Sequence, residues 1–357
     1  MSTEPKPSVV QALPMQRKIG WIVWGAILVG VVGWGLLLLI RPGRSAAALL
    51  RFLPPGADFY LVADLEALQF NPAMKKFLAE ESSLAPEEEY VQFVKRTGFR
   101  YQQDLKQVAM AKLGTDWWGA ARVKLDQTKI VQHLESPGGE KIQEDGFSIY
   151  RYGKVRPFRL VLLPGDLALF TVGSDAEPIR QMVKRFRGQL GDSAAVEMEQ
   201  ANSAGHLTEP GELQAFGRMD WWLNSSTADP SWRVLELAKA FLKGSKLFYI
   251  SVNSSMTALD FRLKIECGSP ADAKRVAQSF QVFFKLIEAM PPDSSRMDPK
   301  IPALLAGISV QQVQSSVLLQ RRWDRETLGR LEQNSREASR WSASDWIAGL
   351  RFWRQGF

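Results

Sequence analysis

Hydrophobic residues fall along this chain in three patterns, and each predicts a different kind of element. The first is an unbroken run, Ile19 to Ile40, with no charged residue and no proline. At about 1.5 Å per residue such a run crosses a hydrocarbon core of roughly 30 Å as a helix. It exceeds the roughly 7–15 apolar residues of a cleaved signal peptide. Arg41-Pro42-Gly43-Arg44 follows it directly, and the small residues Ala46-Ala47-Ala48 lie beyond both arginines. A soluble core helix is seldom apolar on every side, so the run reads as an uncleaved transmembrane helix. Within it, Ala26, Gly30 and Gly33 fall at i, i+4 and i+7. That stripe of small residues is a candidate surface for close packing against another membrane helix.

The second pattern is short apolar stretches, alternating or wholly buried, bounded by turn residues; these predict strands. They are Asp58 to Asp64, Leu105 to Lys112, Trp117 to Leu125, Phe147 to Tyr152, Arg159 to Leu163 and Leu167 to Val172, then Gln214 to Asp220, Lys246 to Asn253, Ala258 to Cys267, Gly307 to Val313 and Ser316 to Gln320. The third pattern is apolar residues at helical spacing. It predicts helices over Phe70 to Glu80, Pro86 to Arg96, Asp126 to Leu134, a helix after Ser174 carrying Ile179, Met182, Val183 and Phe186, another opened by Asp229-Pro230, and Asp324 to Leu331. Ser174 and Glu177 have capping-box spacing. Ser269, Pro270 and Asp272 form the strongest helix start, ahead of Ala273, Val276, Ala277, Phe280, Phe283, Phe284 and Ile287.

The elements after the span form two series on one plan. Each opens with a strand ending in aspartate, Asp64 and Asp220, and continues through helix, paired strands, helix, two more strands and a closing helix. The predicted fold is α+β, an N-terminal transmembrane helix followed by two tandem α+β halves with mainly antiparallel sheets. The divisions are a disordered cytoplasmic tail over 1–18, the span over 19–40, a tether over 41–56 with one helical turn in Ala46 to Phe52, a first half over 57–190, a linker or loop over 191–211, a second half over 212–334 and an amphipathic aromatic segment over 335–357. Asp-Trp-Trp occurs at 116–118 and again at 220–222. The two copies sit at different places in the plan and read as coincidence.

Composition narrows the chemistry. Of 357 residues, 45% are hydrophobic and 23% charged, the usual globular mix. The net charge of +7 includes Lys6, Arg17 and Lys18 of the tail, which leaves the body only mildly basic. No nucleic-acid partner is expected from so small an excess; it suits an anionic membrane surface equally well. Cys267 is the only cysteine and His133 and His206 the only histidines, so zinc sites of the usual kinds are excluded and no cofactor is expected. Phosphate-binding glycine loops, the GxGxxG fingerprint and the GxSxG nucleophile elbow are absent from the sequence. Asp64 and Asp220 would form an acid/base pair if a pseudo-twofold brought them together; the plainer expectation is that each caps the turn that follows it. No catalytic, cofactor-binding or metal-binding residue is assigned.

Two stretches carry a resemblance. Leu53 to Leu68, LPPGADFYLVADLEAL, is similar to the opening of a family of uncharacterised bacterial single-pass membrane-anchored envelope proteins, with its Leu-Pro pair, short strand and Asp-Leu. Phe93 to Ala111, FVKRTGFRYQQDLKQVAMA, resembles the same family's helix, Thr-Gly-Phe turn, Asp-Leu and strand. The resemblance implies an envelope location and an α+β body, and it supplies no activity. The flanking charges, three on each side, do not orient the span. A short tail and a large body favour the tail inside and the body outside the bacterial inner membrane. The expected partners are the lipid bilayer and a protein of the envelope. A non-catalytic binding or scaffolding role is the first reading, and a membrane-tethered, hydrolase-like enzyme using carboxylates is the alternative.

The C-terminal segment supplies a candidate interaction surface. Ser344 is a plausible N-cap, and Trp346, Ile347, Leu350, Trp353 and Phe357 then share one helix face, with Arg351 and Arg354 off it. Burying such side chains stabilises by roughly 1.5–3 kcal/mol each, whether the helix packs on the body, a bilayer or a partner. Truncation after Arg340 separates the three. Lower thermal stability marks a core helix, lost liposome binding a membrane helix, and a lost co-purifying protein a docking helix; no change in any of them would remove the segment from consideration.

Overall fold

Tyr60 and Val62 belong to one core cluster and their neighbour Phe59 packs against another, on opposite faces of the same short strand. That alternation repeats in strand after strand and builds a single sheet with apolar layers on both sides. The computed structural model describes residues 45–72, 74–75, 88–135, 139–153, 156–203, 211–225, 241–289 and 305–328. The chain divides into two compact units, residues 1–45 and 46–357. The predicted span Ile19 to Ile40, with Ala26, Gly30 and Gly33, lies outside the described residues, as does the C-terminal face of Trp346, Ile347, Leu350, Trp353 and Phe357. Among the described residues no helix is long and apolar enough to cross a membrane.

The strands of the first half are β1 (Phe59–Asp64), β2 (Leu105–Leu113), β3 (Asp116–Val123), β4 (Gly139–Glu144), β5 (Phe147–Tyr152), β6 (Phe158–Leu163) and β7 (Leu167–Val172). Those of the second are β8 (Leu213–Arg218), β9 (Ser245–Ser254), β10 (Ala258–Cys267), β11 (Ser309–Val313) and β12 (Ser316–Asp324). They form one twelve-stranded sheet in the order β11-β12-β10-β9-β8-β1-β2-β3-β7-β6-β5-β4. Every pairing described is antiparallel. The halves therefore share one sheet instead of owning one each. They meet where β1 pairs with β8, Phe59 opposite Gly217 and Ala63 opposite Leu213. Outward from this joint each half lays down its first, second, third, last and penultimate strands; the first half adds the hairpin β5-β4 at its edge.

The described helices are α1 (Leu65–Leu68), α2 (Glu88–Thr97), α3 (Tyr101–Asp104), α4 (Gln127–Leu134), α5 (Glu177–Phe186), α6 (Ala194–Ser203), α7 (Met219–Ser225) and α8 (Pro270–Glu288). On the face that carries Phe59, α4 buries Ile130 and Leu134 against the first half, and α8 buries Ala273, Val276, Ala277, Phe284 and Ile287 over the second. Ser269 caps α8 as its sequence predicts, its hydroxyl accepting from Asp272 N at 3.1 Å. The predicted capping box of α5 is not formed. Its N-cap is Ala176, without a side-chain bond, and Asp175 takes Glu177 N at 3.0 Å. The stretch 191–211, predicted as a linker or loop, holds α6.

The face that carries Tyr60 is covered by α5, α6 and a 3-10 helix, Ala46–Phe52. This lead helix is no spacer: Leu49, Leu50, Phe52 and Leu53 are among the most deeply buried residues of the body. A polar knot holds it. The Tyr60 hydroxyl accepts from Ala57 N at 2.9 Å, and its one proton lies between Pro54 O at 2.9 Å and Glu197 Oε2 at 2.8 Å. Glu197 Oε2 also accepts from Gly56 N at 2.8 Å, so the Pro54–Ala57 turn is clasped between β1 and α6. Burial, with the Glu197 carboxylate adding, raises the Tyr60 phenol well above its ordinary range. A chain beginning at Ser45 is expected to unfold cooperatively. One beginning at Ala57 loses four large buried side chains at about 1.5–3 kcal/mol each, comparable with a whole domain stability of about 5–15 kcal/mol. Denaturant unfolding followed by circular dichroism decides, and an unshifted transition in the shorter chain would take the lead helix out of the core.

Candidate functional site

The two aspartates that end equivalent strands do not meet. Because β1 and β8 run antiparallel, Asp64 and Asp220 lie at opposite ends of the joint, roughly 20 Å apart at about 3.3 Å per residue. Each is held locally. Asp64 Oδ1 accepts from Ala67 N at 2.9 Å, capping α1, while Oδ2 accepts from Gln107 Nε2 at 2.7 Å. Asp220 is the second residue of α7 and takes Arg218 Nη2 at 2.6 Å, a partner that pulls its carboxyl below the usual range. Cys267 is buried, and burial pushes its thiol up. His133 stands edge-on to Phe93, ring centroids 5.2 Å apart, and burial followed by the Arg96 charge lowers its pKa. His206 lies outside the described residues.

A different constellation forms at the Phe59 end of the joint. Antiparallel register sets Phe248, Gly217, Phe59, Lys112, Trp117 and Val172 opposite one another in a single row across six strands. Phe59 lies at its centre. Trp221 of α7 stacks on it at 5.1 Å and 21°, Phe248 lies at 6.2 Å and 28°, and Trp117 meets it edge-on at 6.4 Å and 82°. Phe248 is buried, whereas Phe59, Trp117 and Trp221 are half-buried. Gly217 allows close approach of the β1 backbone, since a Cβ there would lie 2.6 Å from Asp58 O and 3.1 Å from Phe59 Cα. The two Asp-Trp-Trp triplets thus converge. Trp117 and Trp221, each the second residue of its triplet, both pack on Phe59. No periodicity within either segment signals this, because it depends on the joint; the repetition of a rare triplet was the one visible hint.

Charged groups rim the aromatics. Lys112 sits over Trp117, its Nζ 5.2 Å from the ring centroid. Lys112 Nζ donates to Thr115 O at 2.7 Å, and Arg156 Nη2 donates to the same oxygen at 2.6 Å. Burial first, then the Arg156 charge, pulls the lysine down to about 8, against the opposing pull of Asp116 and Asp58. Asp58 accepts from Gly114 N at 3.1 Å and lies 3.7 Å from Arg218, whose other partner is Asp220. Among the described residues no group of three or more histidine, cysteine or carboxylate side chains is placed to hold a metal ion. The corner can stack planar groups and pair with charge.

No family model matches the chain, and no curated protein sequence matches it. Three crystal forms of TP0453 are similar to it. Form III has a TM-score of 0.44 at 9% identity, covering 79% of this chain and 96% of that one. Form I has 0.41 at 10%, covering 79% and 95%. Form IV has 0.46 at 9%, covering 81% and 98%.

The lowered lysine has a consequence for stability. Its pKa falls from 10.5 in the unfolded chain to about 8 in the folded one, so folding disfavours the charged form. The penalty is fully present below about pH 8 and is relieved as pH rises toward 10.5. Relative to wild type, Lys112→Met is expected to gain most at pH 7 and least near pH 10, read from urea midpoints across that range. A constant difference between the two proteins would place the ammonium in ordinary solvent.

Proposed function

We propose that this chain is a membrane-anchored, extracytoplasmic binding or scaffolding protein of a bacterial envelope assembly, and that its body is non-catalytic. The observation that carries the reading is the Phe59 corner. Half-buried tryptophan and phenylalanine, rimmed by lysine and arginine, are the side chains that dominate recognition surfaces. They are presented on the most constrained part of the sheet, where the two halves join. Three groups that acid/base or nucleophilic chemistry would call on are held in structural roles instead. Asp64 caps a helix, Asp220 pairs with Arg218, and Cys267 is buried. The alternative of a carboxylate hydrolase loses its leading pair, since Asp64 and Asp220 lie at opposite ends of the joint. The membrane anchor of this proposal is the charge-free run Ile19 to Ile40.

Carbonate extraction and proteolysis of intact spheroplasts test the placement. The chain is expected to stay with the membrane and the body to be shaved, leaving the tail; a body protected until lysis reverses the orientation. Trp221→Ala, which removes half of the stack on Phe59, is expected to leave membrane retention unchanged and to abolish co-purification of an envelope protein from mild detergent. Retention of that protein at wild-type yield would move recognition away from the corner.

A further inference from the structure

The corner holds two cations on one neutral acceptor. Lys112 Nζ and Arg156 Nη2 converge on Thr115 O, which occupies both lone pairs of that carbonyl. Like charges sharing one oxygen repel, and the backbone carbonyl carries no full charge to offset them. Among the described residues neither side chain makes another hydrogen bond or reaches a carboxylate at ion-pairing distance. The acidic groups nearby are turned to other donors: Asp58 to Gly114 N and Arg218, Asp116 to the Thr115 hydroxyl at 3.1 Å, Asp220 to Arg218. Beside the two cations lies the partly open aromatic row of Trp117, Phe59 and Trp221.

We propose that this corner binds a small organic anion, a carboxylate or phosphate on a planar apolar body, with the anionic group between Lys112 and Arg156 and the body against Trp117 and Phe59. The inference rests on the binding-protein reading and names its ligand class. Arg156 supplies a planar fork and Lys112 a point charge, a combination that suits a multi-oxygen anion. The aromatic faces add contact area that a bare ion would leave unused. An anionic group there would offset the repulsion between Lys112 and Arg156 beyond what Asp116 and Asp58 already do.

Pulse acylation of the full-length protein in detergent at pH 8, read at Lys112 by peptide mass spectrometry with Lys129 as internal reference, tests it. The probes are phenyl phosphate, benzoate, benzyl alcohol, inorganic phosphate and phosphatidylglycerol vesicles. Phenyl phosphate and benzoate are expected to slow Lys112 acylation about tenfold at about ten times their dissociation constants, leaving Lys129 unchanged. Inorganic phosphate is expected to protect only at higher concentration and benzyl alcohol not at all. Arg156→Gln keeps Lys112 in place as the reporter and is expected to lose the protection; calorimetric titration of phenyl phosphate into wild type and Arg156→Gln gives the same comparison without acylation. Equal protection by benzyl alcohol, or none by either anion, overturns the site. Protection by vesicles alone replaces the small ligand with a membrane surface and overturns it too. Release of phosphate from phenyl phosphate during the incubation overturns the non-catalytic reading while the binding site stands.

Discussion

Five residue pairs between β1 and β8, Phe59–Gly217 to Ala63–Leu213, constrain everything else in the body. Among the described residues they are the only strand pairing between the two halves, and they turn two sheets into one. The strand order outward from the joint is alike on both sides, each half placing its own second and third strands next to it. The antiparallel pairing sends the ends of equivalent strands in opposite directions. That single geometric fact keeps Asp64 from Asp220, and it brings Trp117 of β3 and Trp221 of α7 to opposite sides of Phe59. Weakening the joint would therefore disturb the site and the fold together.

A sheet buried on both faces needs a cover at its centre, and over Tyr60 the lead helix supplies it together with α5 and α6. Its leucines and Phe52 fill the layer between β1, β2, α5 and α6. The knot of Tyr60, Glu197, Pro54, Gly56 and Ala57 then satisfies the buried Ala57 N–H and Pro54 carbonyl of the turn and ties the exposed Gly56 N–H to Glu197. Tyr60 also stacks on Phe216 at 4.5 Å, and Phe216 lies 6.4 Å from Tyr249, so the knot is continuous with an aromatic ladder running into the second half.

Much of this fold is legible in the sequence because its strands are apolar and its turns carry strong signals. The hairpin β9-β10, the Pro-Gly-Asp turn between β6 and β7 and the Ser269 start of α8 need only local information. What escaped reading was set by distant contacts. β4, GEKIQE, is an edge strand whose charged residues suit an exposed border, and charge hides a strand from hydropathy. Ala194–Ser203 has weak amphipathic character and is positioned by Leu53 O, which accepts from Ala194 N, and by Glu197 bound to Tyr60. Ala46–Phe52 follows the long apolar run and reads in sequence as a helical turn within a tether; only its burial under α5 and α6 identifies it as core. The aspartate pair was the site a search for catalytic chemistry would choose. The observed corner is made of Phe59, Lys112, Arg156 and two tryptophans, and only the repeated Asp-Trp-Trp triplet marks any of them in the sequence.

The two ends of the joint show how differently one pairing can be finished. At the Asp64 end polar groups close on one another: Asp64 N donates to Glu212 O at 2.6 Å, Gln107 donates to Asp64, and Glu212 accepts from Ser254 N at 2.7 Å. Carboxylates there meet amide donors, and the strands are stitched. At the Phe59 end the backbone is equally well paired, Asp58 N to Lys112 O and Arg218 N to Asp58 O, both at 2.8 Å. The side chains above it are not closed in the same way. Two cations share one carbonyl, a lysine loses proton affinity through burial and repulsion, and three large aromatic rings remain partly open to solvent. The charges of Lys112 and Arg156 repel there, and Asp116 and Asp58 offset that repulsion in part. A protein that keeps such groups beside half-buried aromatic rings, at one end of the strand pair that joins its halves, has placed there the groups a ligand can complete.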